Sequence, residues 1–224
     1  MYTVPFQNPW HVLQPTMYRM LPTQFAKAFY DTGALRLSSF TEFHKHTDEQ
    51  RFDGDEGVGY LRHDDHLPDG RATFISATTL YGRNAYVLCG SMSDSADIAR
   101  DFGTDNRIVI YDTTNFACDI SSRIPGFQSG SEGPCIYIRG RMFQASLGDL
   151  SQLITDPPPT PAQVSQFLTT RLGPVPYYLK VPRFIPQLEY RLVWLTHYEV
   201  NGYLDIEVPH ARKYCGPYNP NPYA

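Results

Sequence analysis

The chain has 224 residues, of which 42% are apolar, 14% aromatic and 19% charged, and its formal charge is −4 at pH 7. This composition excludes intrinsic disorder and a highly charged coiled coil, and the length is sufficient for one domain with a substantial core. The negative charge repels phosphate backbones, so nucleic acid would need a local basic patch.

The sequence also limits the compartment in which the protein is expected. No stretch approaches the roughly 18 consecutive apolar residues of a membrane-spanning helix. The first twenty residues lack the basic and apolar regions of a signal peptide. The four cysteines have no CxxC spacing, which indicates free thiols in a reducing compartment, with two disulfides as the alternative. We therefore predict a cytoplasmic protein, which leaves delivery as an effector open.

The first forty residues predict an arm, a strand, a helix and a second strand. Residues 1–15 carry three prolines among aromatic residues and predict an extended arm. A short apolar strand at 16–21 and a helix that opens at Pro22 follow. Helical spacing puts Phe25, Ala28 and Phe29 on one face, which is expected to be the buried one, and Gly33 is expected to end the helix. Apolar residues alternate with polar ones over 34–40, which predicts a half-buried strand.

The amino-acid composition changes at residue 44. Residues 44–70 are polar, acidic and punctuated by glycine, and predict a long loop excursion over the surface or into a cleft. Strands are predicted next at 71–80 and 85–93. Asp94 is expected to cap the short helix that follows them.

The second half predicts mainly strands. Segments 107–114 and 135–143 have strand patterns, and a proline connector then leads to a helix with Pro161 in its first turn. Residues 177–200 predict a strand, a proline-bounded loop and another strand. The pair Asn201-Gly202 predicts a hairpin turn that returns the chain along the preceding strand.

These elements predict an α+β fold rather than a doubly wound sheet, because no regular helix separates each pair of strands. We expect a split or mixed β-sheet with a few short helices. The arm precedes a single catalytic domain over residues 16–214, which carries the polar excursion. Residues 215–224 form an irregular tail.

The most informative segment for function lies before the apolar strand that ends the 177–200 region. Gln187 and Glu189 are two residues apart at the start of this strand, so the two-residue period of a strand puts them on one face. A carboxylate at the end of a buried strand can stabilise a cation. The alternative is a structural carboxylate paired with Arg183 or Arg191.

A second segment ends a buried strand in Gly-Ser-Met-Ser before a short helix. Ser91 and Ser93 share a face, and their hydroxyls can hydrogen-bond a ligand at the end of the strand. The alternative is that they only cap the helix, which explains Ser93 better than Ser91.

A third segment places Arg19 in the middle of a short apolar strand. Arginine is rarely buried without a partner, and its planar fork suits a diphosphate or a carboxylate. The alternative is a structural salt bridge to an acidic residue later in the chain.

The order of these three segments resembles the Arg-Ser-Glu class of ADP-ribosyltransferases. Arg19 matches the arginine of the first strand in that family. Ser91-Met92-Ser93 matches its Ser-Thr-Ser motif, with Met92 in place of Thr, and Gln187-Leu188-Glu189 matches its Gln/Glu-x-Glu motif. The resemblance consists of three short motifs spread over most of the chain. A looser likeness to uncharacterised bacterial proteins, in residues 51–57 and 189–191, implies no activity.

The resemblance implies the ADP-ribosyltransferase fold, NAD as co-substrate, no metal, and transfer of ADP-ribose to a macromolecule or hydrolysis of NAD. Glu189 would stabilise the oxocarbenium ion, and Arg19 would grip the diphosphate. Ser91 would orient Glu189 or the nicotinamide ribose, and Gln187 would position the acceptor. Further residues are expected to bind the cofactor: Tyr18, Ser93, Tyr178 and Phe184. We expect Glu189→Gln to abolish turnover with the melting temperature nearly unchanged.

The resemblance also implies a biological class, a bacterial or phage-related effector or toxin. Its acceptor would be a protein more readily than a nucleic acid, given the negative net charge. An antitoxin or immunity protein would be a further partner, and no membrane is involved.

Two other functions compete with the transferase. A binding module with the same fold would recognise a nucleotide or a protein without turnover. A metal-dependent hydrolase would use histidines that flank the acidic excursion, namely His44, His46, His63 and His66.

Overall fold

The computed structural model describes residues 4–5, 15–45, 56–66, 72–144, 153 and 155–223. The strands of these segments are β1 (Val4–Pro5), β2 (Met17–Leu21), β3 (Ala34–Ser39), β4 (Val58–His66), β5 (Ala72–Leu80), β6 (Ala85–Ser91), β7 (Asn106–Ile110), β8 (Phe127–Pro134), β9 (Ile136–Tyr137), β10 (Met142–Gln144), β11 (Leu179–Lys180), β12 (Glu189–Thr196) and β13 (Tyr203–Glu207). The α-helices are α1 (Thr23–Thr32), α2 (Ala96–Asp101), α3 (Thr113–Ser121) and α4 (Pro161–Leu172). The predicted α+β class is confirmed.

The main sheet is antiparallel, and its strands lie in the order β1-β8-β12-β6-β2-β7. One whole edge of β6 is occupied by β12. The other edge is shared, because β2 pairs with it where Tyr18 is opposite Ser91, and β3 pairs with it where Ser38 is opposite Val87. Strands β2 and β3 therefore diverge from one edge of β6, and the sheet opens between them.

The two faces of the main sheet pack different cores, because successive side chains of a strand point to opposite sides. Trp194 on β12 is fully buried in the larger core, together with Phe29 of α1 and Phe116 of α3. On the opposite face, Val193 packs with Tyr177 and their neighbours in a smaller core. The continuous apolar run of β12 therefore supplies both cores.

A smaller sheet, in the order β10-β4-β5, packs against α4. Leu61 of β4 is buried against Phe167 and Leu168 of that helix. The helix begins as the sequence predicts, with Pro161 in its first turn. Thr160 and Gln163 form a reciprocal capping box there.

Helix α1 lies where the sequence predicts it, but the side of the helix that is buried differs from the prediction. The helix follows Pro22 and ends at Gly33, whose φ of +82° is the left-handed conformation that glycine adopts freely. Phe25 is 53% exposed, whereas Ala26 and Phe29 are buried. The prediction for Phe25 is wrong because the helix is rotated so that another side packs on the sheet.

The cap of α2 is also different from the prediction. Ser95 caps the helix, since its side chain accepts hydrogen bonds from the backbone of Asp97 and Ile98. Asp94 instead forms an ion pair with Arg107 at 2.7 Å. The capping role therefore moves by one residue along the chain.

The predicted excursion at 44–70 is wrong over part of its length, since residues 58–66 form β4 and pair with β5. Residues 46–55 and 67–71 lie outside the described residues. The strand predicted at 107–114 ends at Ile110, because Asp112 caps α3 by accepting from the backbone of Asn115.

Two other strand predictions are corrected. Residues 135–143 form two short strands separated by a 3-10 turn rather than one strand. Gly202 has a φ of +76°, as a turn requires, yet β13 pairs with β3 and not with β12. A turn signal fixes local backbone geometry, whereas the pairing partner depends on tertiary packing.

The two ends of the chain are described in part. Val4 and Pro5 of the predicted arm pair with β8, and residues 1–3 and 6–14 lie outside the described residues. After the 3-10 segment at 209–214, Cys215 forms an isolated β-bridge with Ile110, and residues 216–223 have neither helix nor strand. Within the described residues, none of the helices has both the length and the apolar character needed to cross a bilayer.

Candidate functional site

A cavity of ≈ 680 Å³ opens where β2 and β3 diverge from β6. Strand β13 and the outer side of α1 complete its wall. Its wall includes all four residues predicted as catalytic, namely Arg19, Ser91, Gln187 and Glu189. These residues come from three distant parts of the sequence, and the split in the sheet brings them to one hollow.

Strand register places Glu189 directly opposite Ser91. The two strand ends are tied by a further hydrogen bond, because the backbone N–H of Met92 donates to the carbonyl of Leu188 at 2.9 Å. Leu188 has a φ of +44°, an uncommon conformation for a residue other than glycine. This turn delivers Gln187 and Glu189 to the cavity wall.

Arg19 reaches the same region from the neighbouring strand. Its guanidinium Nη1 donates to the carbonyl oxygen of Cys89 at 2.9 Å. The adjacent residue, Tyr18, is opposite Ser91 and also lies on the cavity wall. The Arg19 guanidinium is therefore bound to the edge of β6, two residues before Ser91, the last residue of that strand.

The carboxylate of Glu189 is buried between two cations, with 5% of the residue exposed. Its Oε1 accepts from Arg191 Nε at 2.5 Å, and its Oε2 forms an ion pair with the ammonium of Lys180. Burial alone would raise the pKa of Glu189, but Arg191 and Lys180 outweigh it and hold this pKa well below its ordinary value. Glu189 is therefore ionised at neutral pH.

Lys180 contacts both Gln187 and Glu189, the two predicted site residues before and at the start of β12. Its Nζ donates to Gln187 Oε1 at 2.8 Å and lies 4.4 Å from the centre of the Phe184 ring. Burial lowers the pKa of Lys180, but Glu189 and Glu56 together with further neighbours outweigh this effect and raise the pKa above its ordinary value. The ammonium is therefore charged although it is buried.

A second carboxylate, that of Glu56, extends this buried network. Its Oε1 accepts from Arg191 Nη1 at 2.6 Å, and its Oε2 lies 3.4 Å from Arg141 Nη2. Both arginines and Glu56 are nearly inaccessible to solvent. Burial opposes ionisation of Glu56, but Arg191 and Arg141 lower its pKa overall. This ion cluster is the set Glu56, Arg141, Lys180, Glu189 and Arg191.

We expect the ion cluster to make the fold sensitive to acid. Because the pKa values of Glu56 and Glu189 are lowered on folding, their ionisation stabilises the fold above the unfolded-state pKa of about 4.3, and this stabilisation is lost as the pH falls. The free energy of unfolding should fall by on the order of 1–2 kcal/mol per pH unit below that value. Denaturant titrations at pH 5, pH 4 and pH 3.5 measure it, and a flat profile would contradict the ionised state of the cluster.

The other predicted cofactor-binding residues take different positions. Ser93 lies in the turn after β6, and its backbone N–H donates to Ser91 Oγ at 2.9 Å. Tyr178 is fully buried in the smaller core, where its hydroxyl lies 2.8 Å from that of Ser131. Phe184 is 2% exposed and contacts Lys180 rather than the hollow. Among the six cofactor-binding predictions, the cavity wall includes Tyr18, Arg19 and Ser91.

The histidine alternative falls mostly outside the described part of the chain. His46 lies outside the described residues. His63 and His66 are on β4, and His44 is in a 3-10 segment, but the structure describes only their backbones. Among the residues that are described, no group of three or more His, Cys, Asp or Glu could hold a metal ion. The histidine site stays a prediction.

Of the five members of the ion cluster, sequence reasoning identified Glu189 and its partner Arg191, and it missed the other three, which are Glu56, Arg141 and Lys180. Arg191 is a partner of Glu189, as one of the alternatives for that carboxylate states. Lys180 was not singled out, although a lysine inside the apolar run 177–181 is a signal for a buried, paired cation. Glu56 belongs to the acidic segment 44–70, for which the sequence predicts a loop excursion over the surface or into a cleft.

The fold and site together define an α+β protein whose antiparallel sheet splits around a cavity. The wall of that cavity combines a guanidinium, a hydroxyl, an amide and an ionised carboxylate. Comparisons of the chain with protein-family models, with curated proteins and with solved structures found no match. The function is therefore argued from the geometry of the site.

Proposed function

We propose that the chain is an NAD-dependent mono-ADP-ribosyltransferase, or a relative that hydrolyses NAD. One observation carries the proposal: Arg19, Ser91 and Glu189, which lie far apart in the sequence, line a single hollow. Its volume of ≈ 680 Å³ is within the range of pockets that bind small molecules and cofactors, about 300–1,000 Å³.

The carboxylate of Glu189 suits the charge that develops in this reaction. Cleavage of the nicotinamide–ribose bond gives an oxocarbenium-like transition state, as in glycoside hydrolysis. Nicotinamide leaves with the bonding electron pair, and a fixed negative charge beside the ribose stabilises the cation that remains. Because the pKa of Glu189 is lowered, this carboxylate is a weak base. Its proposed role is electrostatic, together with a hydrogen bond from a ribose hydroxyl.

The other wall residues take complementary roles in the proposal. Arg19 binds the diphosphate of NAD, to which its guanidinium can donate two hydrogen bonds. The Ser91 oxygen accepts from the backbone of Ser93, so its hydroxyl proton can be donated to Glu189 or to the ribose. Gln187 positions the acceptor, and Tyr18 contributes an aromatic surface.

The second substrate is a macromolecule or water. In either case a nucleophile bonds to the ribose carbon and loses a proton, which gives a modified acceptor or free ADP-ribose. We propose a protein acceptor, because the net charge of −4 disfavours nucleic acid. A bacterial or phage-related effector with a neutralising antitoxin or immunity protein is the biological class that this activity would fit.

The proposal is tested by incubation of the purified protein with NAD, with and without a cell lysate. We expect free nicotinamide, together with free ADP-ribose or a labelled lysate protein. Arg19→Gln should raise the KM for NAD about 10- to 100-fold, because it removes charge-assisted hydrogen bonds to the diphosphate.

Arg36→Gln is the matched control, because Arg36 lies on the same cavity wall but is bound by both carboxylate oxygens of Asp205, at 2.6 and 2.8 Å. Its KM should stay close to that of the wild type. Equal effects of the two substitutions would remove the diphosphate role of Arg19. An absence of nicotinamide under every condition would overturn the enzymatic proposal.

One observation favours the binding module as the second candidate. Both carboxylate oxygens of Glu189 are already engaged, one by Arg191 and one by Lys180. Such a carboxylate can serve the fold alone. Saturable binding of NAD or ADP-ribose by equilibrium dialysis, without any release of nicotinamide, is the result expected of this candidate.

A further inference from the structure

Lys180 lies on the cavity wall and contacts both Gln187 and Glu189. It ends the short strand β11, and its ammonium reaches the cavity wall with only 6% of the residue exposed. An ammonium has three N–H donors. The Nζ atom contacts Gln187 Oε1 at 2.8 Å, the Glu189 carboxylate, and the face of the Phe184 ring at 4.4 Å. These contacts match its three donors.

We propose that Lys180 is a positioning residue, whose ammonium fixes the Gln187 amide and the Glu189 carboxylate relative to one another. The inference rests on the proposed function, in which both of these side chains touch substrate. Gln187 ends a 3-10 segment, whereas Glu189 begins β12, and Leu188 with its positive φ lies between them. Since the two side chains leave different kinds of backbone, a shared partner is what aligns them.

The contact also sets the orientation of the amide of Gln187. The carbonyl oxygen faces the ammonium, since an ammonium can only donate hydrogen bonds. A rotation of the amide by half a turn would place its NH2 group against the cation and lose this hydrogen bond. Lys180 therefore determines which end of the amide faces which neighbour in the site.

Arg191 also contacts Glu189, but its environment indicates a different role. It has no solvent exposure and divides its donors among Glu189, Glu56 and the carbonyl of Tyr177. Arg191 thereby links the strand to the rest of the ion cluster. Within the cluster, Lys180 is the cation on the cavity wall.

The charges of the ion cluster make Lys180 suitable for substitution. The cluster has three cations and two carboxylates, so removal of Lys180 leaves two of each. Glu189 then keeps Arg191, and Glu56 keeps both arginines as partners. We therefore expect Lys180→Met, which retains the length of the side chain, to fold.

The test is the steady-state kinetics of nicotinamide release by Lys180→Met. We expect kcat to fall on the order of 10²-fold, as for a misplacement of catalytic groups by about 1 Å, with KM for NAD little changed. The acid limb of the kcat profile should also move to higher pH. The reason is that Glu189 loses one of the two cations that keep it ionised, so it becomes protonated at a higher pH than in the wild type.

Two further variants make the result specific. Lys213→Met removes an exposed lysine, 3.6 Å from Asp119, and should leave both kcat and the acid limb unchanged. Lys180→Arg keeps the charge but not the shape of the ammonium, so its acid limb should match the wild type while its kcat is lower. Lys180→Arg carries the test if Lys180→Met does not fold.

The outcomes separate this inference from the proposed function. Suppose that the wild type is active. A Lys180→Met variant with a normal kcat and a normal acid limb, or a Lys180→Arg variant with a normal kcat, would then overturn the positioning role and leave the proposed function intact. A wild type that releases no nicotinamide would overturn both.

Discussion

Replacement of Glu189 by Gln is expected to reduce nicotinamide release from NAD by on the order of 10²–10³-fold, the usual effect of removing a preorganised electrostatic contact in an active site. The amide is neutral, so it cannot compensate the positive charge that develops on the ribose. KM should change less than kcat, because this interaction is strongest in the transition state. Initial rates at saturating NAD measure the effect.

The same substitution should also lower the melting temperature, which corrects the expectation drawn from the sequence. Glu189 is buried between Lys180 and Arg191, and loss of its charge removes the ion-pair partner of Lys180 and one of the two ion-pair partners of Arg191. Removal of one member of a buried pair costs about 3–5 kcal/mol, and each kcal/mol lowers the melting temperature of a chain of this size by about 2–4 °C. Rates must therefore be compared well below the melting temperature of the variant.

Glu207→Gln is the control for Glu189→Gln. Glu207 lies on the same cavity wall, on β13, but is exposed. Its substitution should change neither the rate nor the melting temperature appreciably. Full activity of folded Glu189→Gln would leave Glu189 with a structural role only.

Glu56, Arg141 and Arg191 belong to the ion cluster but have no role in the proposed chemistry. Among single substitutions that remove the charge of one of these three residues, Glu56→Gln is expected to cause the largest loss of stability. The change leaves three buried cations with one carboxylate, and Arg191 and Arg141 both lose a charged partner. The expected cost is about 3–5 kcal/mol in the free energy of unfolding. Denaturant-induced unfolding at pH 7 measures it.

Glu199→Gln provides the matched comparison for this prediction. Glu199 pairs with Arg83 at 3.4 Å, and both side chains are about two-thirds exposed. A surface pair of this kind contributes less than about 1 kcal/mol. If Glu56→Gln and Glu199→Gln had the same small effect, the ion cluster would not stabilise the fold as the structure indicates.

The sequence predicts which residues line the cavity better than it predicts the buried partners of those residues. The apolar run of β12 correctly predicts that Glu189 begins a buried strand, because such a run is local and can be recognised without the fold. Gln187 ends a 3-10 segment instead, so the two-residue period of a strand does not apply to it, although both residues lie on the cavity wall. The partner Arg191 is two residues away and was named as an alternative, whereas Lys180 could not be assigned in the same way, because it meets Glu189 only after the short strand β11 is placed.

The wrong predictions about the fold also arise because contacts between distant parts of the chain cannot be recognised from local spacing. Asn201-Gly202 is a correct turn signal, but the strand after it pairs with β3 because tertiary packing decides the partner. The helical spacing of α1 is correct as well. Its rotation on the sheet is not encoded by spacing alone, and so Phe25 is exposed on the cavity wall.

The most direct measurement is a crystal structure of the wild-type chain with a non-hydrolysable NAD analogue. The account predicts the diphosphate within hydrogen-bond distance of the Arg19 guanidinium and the nicotinamide ribose beside the carboxylate of Glu189, in the hollow between β2 and β3. An analogue bound elsewhere on the molecule, or no binding at saturating concentration, would contradict it.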